Sequence, residues 1–175
     1  ARDLAAKGIN VISLSLGEPD FDTPVHIKDA AIDGIKKGYT KYTPVAGRLD
    51  LRQAICAKLK RENNLDYTPT QIVVSNGAKQ SIANICTAIL DHGDEVVIFA
   101  PYWVSYFEIV KFCEAVPVTV FADIDQDYKV TAEQVAAAIT DKTRLVIFSS
   151  PCNPTGSVFT KEELIKTSEQ EKKDE

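Results

Sequence analysis

"DEVVIFAPYWVSY", Asp94 to Tyr106, decides the fold. Glu95 to Ala100 is a near-continuous apolar run, short and rich in β-branched residues, as expected of a strand buried on both faces. Pro101 closes it, and from about Tyr102 to Phe112 the apolar residues recur at helical spacing. The same alternation extends outward. On the N-terminal side stand "QIVVS" (71–75) and "AKQSIANICTAIL" (78–90); on the C-terminal side follow "VPVTVF" (116–121), "TAEQVAAAI" (131–139), "RLVIFSS" (144–150) and "TKEELIK" (160–166). Apolar strands alternating with helices predict an α/β fold with a mainly parallel sheet, its first strand at Gln71 and its fourth ending near Ser150. Thr131 with Gln134 and Thr160 with Glu163 have capping-box spacing, so each can satisfy an orphan amide at a helix start.

The first seventy residues read differently. "VISLSL" (11–16) runs into "GEPDFDTP" (17–24), where Thr23 is placed to cap a helix with Pro24 in its first turn. Val25, Ala31, Ile32 and Ile35 would give that helix a buried side. "YTPVAG" (42–47) follows, then a helix with Leu51, Ile55 and Leu59 one turn apart, ending near "RENNLDYTPT" (61–70). Residues 1–45 are thus expected to be an N-terminal arm and entry segment, and 46–175 the α/β domain itself. The closing "KTSEQEKKDE" (166–175) is a solvated charge run, either a frayed tail or a stop before the next strand.

Composition narrows the partners. With 45% hydrophobic and 26% charged residues the chain is an ordinary globular one. A net charge of -5 and pI near 5.1, with lysines mixed among acids, argue against nucleic acid. No apolar stretch approaches the roughly 20 residues of a membrane helix, and "ARDLAAKGIN" carries no signal-peptide core, so a cytoplasmic protein is expected. Cys56, Cys86, Cys113 and Cys152 lie far apart without a C-x-x-C pair, which favours buried free thiols over a disulfide framework or a zinc site.

Three loops at strand ends could carry chemistry. In "VVSNGAKQ" a glycine joins the strand directly to a helix, so the amides of Gly77, Ala78 and Lys79 could converge on a phosphate. The junction matches neither a Walker A nor a dinucleotide pattern, and by itself could be no more than a tight turn. Trp103, the sole tryptophan, is either a core residue under a loop or an aromatic platform for a flat ligand. In "SSPCNPTG" (149–156) prolines on both sides narrow the backbone freedom of Asn153, presetting its amide for a polar atom. Together the three describe a site for a planar, phosphorylated ring.

"SLGEPDFDTP", "KYTPVAG", "SNGAKQ", "DEVVIFAPYWVSY" and "SSPCNPTG", in this order and at these intervals, resemble the N-terminal part of class I aminotransferases of the aspartate aminotransferase type, which are fold type I pyridoxal-phosphate enzymes. The resemblance runs from about Val11 to Leu164 and implies that residues 46–175 are an incomplete pyridoxal-phosphate-binding α/β large domain. It implies that Gly77, Ala78 and Lys79 bind the phosphate of pyridoxal 5'-phosphate, that Trp103 stacks on its ring and that Asn153 donates to the ring hydroxyl oxygen. Tyr42 would reach the cofactor phosphate of the other subunit of a homodimer. Gly17, Trp103 and Asn153 would face the substrate, an amino acid or 2-oxo acid, with the Gly17 backbone holding its carboxylate. Cys152 stands where asparagine is common and is expected to tune packing rather than touch the cofactor.

The family also needs a lysine that joins the cofactor covalently, an acid at the ring nitrogen and an arginine for the substrate carboxylate. The segments that carry them, downstream of "NPTG" in family members, have no match in these residues; Lys79 belongs to the phosphate turn. No catalytic residue and no metal ligand is therefore assigned, and the chain is expected to be a fragment of an aminotransferase, inactive alone. Two alternatives stay open: a lyase on the same scaffold, and a truncated, non-catalytic module that dimerises or binds phosphate.

Overall fold

The central strand β1, Glu95–Ala100, pairs in parallel with β2, Val116–Phe121, on one side and β3, Thr143–Ile147, on the other. The computed structural model in which they lie describes residues 2–12, 17 and 19–171. The chain forms two units, Ala1–Arg48 and Leu49–Glu175.

In the second unit, α3 (Leu49–Asn63) leads through a 3-10 turn at Pro69–Gln71 to α4 (Gly77–Ile89). After β1 come α5 (Ser105–Phe112), β2, α6 (Ala132–Ala138), β3 and α7 (Lys161–Glu171). Because a strand alternates its side chains, β1 serves two cores. Val96 and Ile98 pack with Cys86, Leu90, Tyr106 and Val110 from α4, α5 and the turn after α4, whereas Val97 and Phe99 pack with Ala122, Val130, Val135 and Phe159. Helices cover both faces, as the apolar run of β1 required. Pro117, which has no N–H to give, sits on β2 at one margin of the sheet.

The sheet has three strands among the described residues, not the expected four. Ile72–Ser75 runs outside any sheet after the 3-10 turn, and Val73 is 64% exposed. The reason is physical: an apolar β-branched run sets a preference for extended backbone, but a strand exists only where a neighbour completes the ladder. The helix after Pro101 starts at Ser105 rather than Tyr102.

Both capping boxes form. Thr131 Oγ1 accepts from the Gln134 amide while Gln134 Oε1 accepts from the Thr131 amide. Thr160 and Glu163 exchange the same pair. Lys129 reaches Glu163 at 2.7 Å and so links the segment before α6 to the first turn of α7. The last helix continues to Glu171, farther than its apolar residues suggested, with Thr167 buried and bonded to the Glu163 carbonyl.

The first unit holds α1 (Arg2–Ala6) and α2 (Val25–Lys36). Thr23 does not cap α2: Pro24 occupies the N-cap position and no side chain caps the helix. Its expected buried side is also not found, since α2 has no buried residue, and Val25, Ile32 and Ile35 are among its exposed side chains. Helical period decides which side of a helix is apolar, not whether another surface covers it. The reading of "VISLSL" falls largely on residues 13–16, and these, with Glu18 and the end of the charge run at 172–175, lie outside the described residues.

Candidate functional site

Strands β1 and β3 run parallel with Ile98 opposite Ile147, so their carboxyl ends finish at the same edge of the sheet. Two loops therefore leave side by side. The first, from Pro101, carries Trp103; the second, from Phe148, carries Asn153. The Cys152 thiol donates to the Pro101 carbonyl oxygen across 3.3 Å and ties one loop to the other.

Trp103 is half-buried and meets Tyr106 edge-on, with ring centroids 5.6 Å apart and an 89° interplanar angle. The Lys79 Nζ lies 4.9 Å from the Trp103 ring centroid, over its face. This cation–π contact, worth about 0.5–1 kcal/mol at an exposed position, brings the first turn of α4 to the tryptophan loop.

At that first turn Gly77 has φ +77°, a left-handed conformation that side-chain-bearing residues rarely adopt. A Cβ there would meet nothing within 4 Å, so backbone conformation rather than space calls for the glycine. Its amide donates to the Ser75 carbonyl at 2.9 Å, closing the turn, and is not free to join its neighbours as the spacing suggested. The Asn76 amide is taken by the Gln80 side chain, and Asn76 makes no side-chain cap. The amides of Ala78 and Lys79 thus have no side-chain cap, at the positive end of a 13-residue helix dipole. Gly77, Ala78 and Lys79 are all exposed.

Asn153 is exposed in a loop folded on itself. The Gly156 amide donates to the Cys152 carbonyl at 2.8 Å, and the Cys152 amide to the Ser157 carbonyl at 2.9 Å. The Asn153 amide donates to Ser149 Oγ at 3.3 Å, and the Phe159 amide to Ser150 Oγ at 3.0 Å. Pro101, Pro151 and Pro154 each follow a cis peptide bond.

The structure therefore brings Lys79 to Trp103 and the Asn153 loop to the Trp103 loop. Gly17 and Tyr42 belong to the first unit and are both exposed, Tyr42 fully. Sequence reading missed Ser149 and Tyr106. Signals existed for both, a hydroxyl four residues before Asn153 and an aromatic one helical turn after Trp103, but neither shows which atom it meets. Among the described residues no group of His, Cys, Asp or Glu could hold a metal ion, and no helix is long and apolar enough to cross a membrane.

Fold and loops define a parallel α/β domain, covered by helices on both faces, whose polar and aromatic loop residues gather at the carboxyl edge of the sheet, where this class of fold receives ligands. The family model for class I and II aminotransferases matches residues 9–173, and the chain belongs to that family. It is 55% identical over 164 residues to the aspartate aminotransferase of Bacillus sp. (strain YM-2), covering 94% of this chain and 42% of that protein. It is 52% identical to the aspartate/prephenate aminotransferase of Nitrosomonas europaea, over 94% of this chain and 41% of that one. Among solved structures, the aspartate aminotransferase from Thermus thermophilus with maleate superposes with a TM-score of 0.91 at 43% identity, over 97% of this chain and 44% of that one. The chain thus spans less than half the length of these relatives.

Proposed function

We propose that the chain is the cofactor-gripping N-terminal part of a pyridoxal-phosphate-dependent aminotransferase that moves an amino group from an amino acid, aspartate or glutamate, to a 2-oxo acid. One observation carries the reading: Lys79 lies over Trp103, and the Cys152 thiol bonds the Trp103 loop to the Asn153 loop, so the first turn of α4, an aromatic face and the asparagine loop stand together. The donor set fits the group. Ala78 and Lys79 backbone amides suit a phosphate at a helix N-terminus, the Trp103 face suits a planar ring, and the Asn153 side-chain amide, distinct from the backbone N–H given to Ser149, suits a ring oxygen.

When bound, pyridoxal phosphate supplies the carbonyl carbon and electron-withdrawing ring through which amino groups change partners. This chain's residues bind and orient it. Lys79 balances phosphate charge, Trp103 fixes the ring plane, and Asn153 donates to the ring hydroxyl oxygen, favouring its anionic form. The Gly17 backbone holds the substrate carboxylate, and Tyr42 reaches the cofactor phosphate of a second copy in a homodimer. The covalent lysine, the acid at the ring nitrogen and the carboxylate-binding arginine would come from outside these 175 residues. Four cysteines, all free, suit the reducing cytoplasm.

The test is made on the protein expressed from the full coding sequence that contains this chain. Pyridoxal phosphate should bind it with a pH-dependent absorbance band, and aspartate with 2-oxoglutarate should give glutamate. Absence of uptake, or release of ammonia in place of transfer, overturns the reading.

A further inference from the structure

We propose that Ser149 and Cys152 are positioning residues that hold Asn153 in register with the Trp103 loop before any ligand arrives; the inference rests on the function proposed above. Pro154 narrows the backbone of Asn153, but neither proline fixes where the loop stands against the Trp103 loop. Two side-chain bonds do so. Ser149 Oγ accepts the Asn153 amide at 3.3 Å, and Cys152 Sγ donates to the Pro101 carbonyl at 3.3 Å, two residues before Trp103.

The remaining bonds of the loop do a different task. Those from Gly156 to Cys152, Cys152 to Ser157, Ser157 to Thr155 and Phe159 to Ser150 close the loop on itself, and none reaches the tryptophan loop. The thiol bond does reach it. A thiol is a weak donor, but this one is half-buried beside Phe99, Tyr102, Tyr106, Phe148 and Phe159, where little water competes for the Pro101 oxygen. Cys152 therefore acts through the carbonyl it holds, not through contact with a ligand. A ring stacked on Trp103 would find Asn153 at a distance set by the two bonds, so breaking either changes how well one molecule meets both groups.

The test uses the protein from the full coding sequence, titrated with pyridoxal phosphate. Cys152→Ala and Ser149→Ala should each raise the dissociation constant about five-fold, the loss expected for one ordinary hydrogen bond. Both should also move the pH midpoint of the bound cofactor's absorbance upward, because a poorly placed donor favours the ring anion less. Cys152→Ser keeps a donor and should restore both readouts. A purely structural role predicts lower melting temperatures with an unmoved midpoint and no advantage of serine over alanine; that result overturns the proposal, as does unchanged affinity in both alanine variants. If Cys152→Ala does not fold, Ser149→Ala carries the decision. Wild-type protein that takes up no pyridoxal phosphate sinks the function itself, whereas wild-type uptake with indifferent variants sinks this inference alone.

Discussion

Ile98 has no exposed surface, and its neighbours in the core come from α4, α5 and β3. Truncation there leaves a cavity bounded by several elements that cannot all close in, so Ile98→Ala should cost about 2–5 kcal/mol, read from the denaturant midpoint at constant slope. Lys79 is the opposite case, exposed and dispensable for packing, with its ammonium over Trp103. Lys79→Ala loses only the cation–π contact, about 0.5–1 kcal/mol, and should lower the melting temperature by no more than about four degrees. It should weaken pyridoxal phosphate binding about ten-fold, the loss of one charge-assisted contact, measured by titration. The residues of this site were legible as types: a glycine at a strand–helix junction, a lone tryptophan, an asparagine among prolines. Their partners were not, because a hydrogen bond such as Cys152 to Pro101 joins residues 51 positions apart.

Helix starts show how far local chemistry reaches. Thr131 and Thr160 cap as their spacing predicted, because a capping box needs only the residues within it. Thr131→Ala should destabilise by about 1 kcal/mol, measured by thermal or denaturant unfolding. The start of α7 carries a second, non-local device. The hydrogen bond from Lys129, then that from the Thr160 amide, holds the Glu163 carboxyl below its usual pKa of 4.5, while Glu163 raises Lys129 above 10.5. The signs follow. The Glu163 contribution is present above the ordinary glutamate range and is lost as pH falls through its lowered value; the Lys129 contribution is present below its ordinary range and is lost as pH rises through its raised value. The melting-temperature difference between wild type and Lys129→Met should therefore be constant near neutrality and shrink below about pH 4. Thr23 and Ile72–Ser75 mark the limit of such reading. Thr23 lost the cap to Pro24, and the extended segment lacks the neighbour that makes a strand.

Large apolar side chains stand open in both units: Phe21, Tyr42 and Val45 in the first, Phe112, Phe121 and Ile85 in the second. A protein made of residues 1–175 alone should bind a hydrophobic dye such as ANS and self-associate, measured by dye fluorescence and light scattering, whereas the protein from the full coding sequence should not. A monodisperse, dye-silent protein of 175 residues would contradict this. By itself the sequence determined the α/β class, the helices from α3 onward, the apolar central strand and the identity of the chemically able residues, because period, capping and turn chemistry act within a few positions. Tertiary structure alone decided that Ile72–Ser75 stays outside the sheet and that α2 has no buried residue. It also decided which atoms join the three loops expected to share one edge: Lys79 Nζ over the Trp103 ring and the Cys152 thiol on the Pro101 carbonyl. Each of these depends on a surface supplied by distant residues, and burial or hydrogen bonding across such distances comes from the arrangement of elements, not from their local pattern.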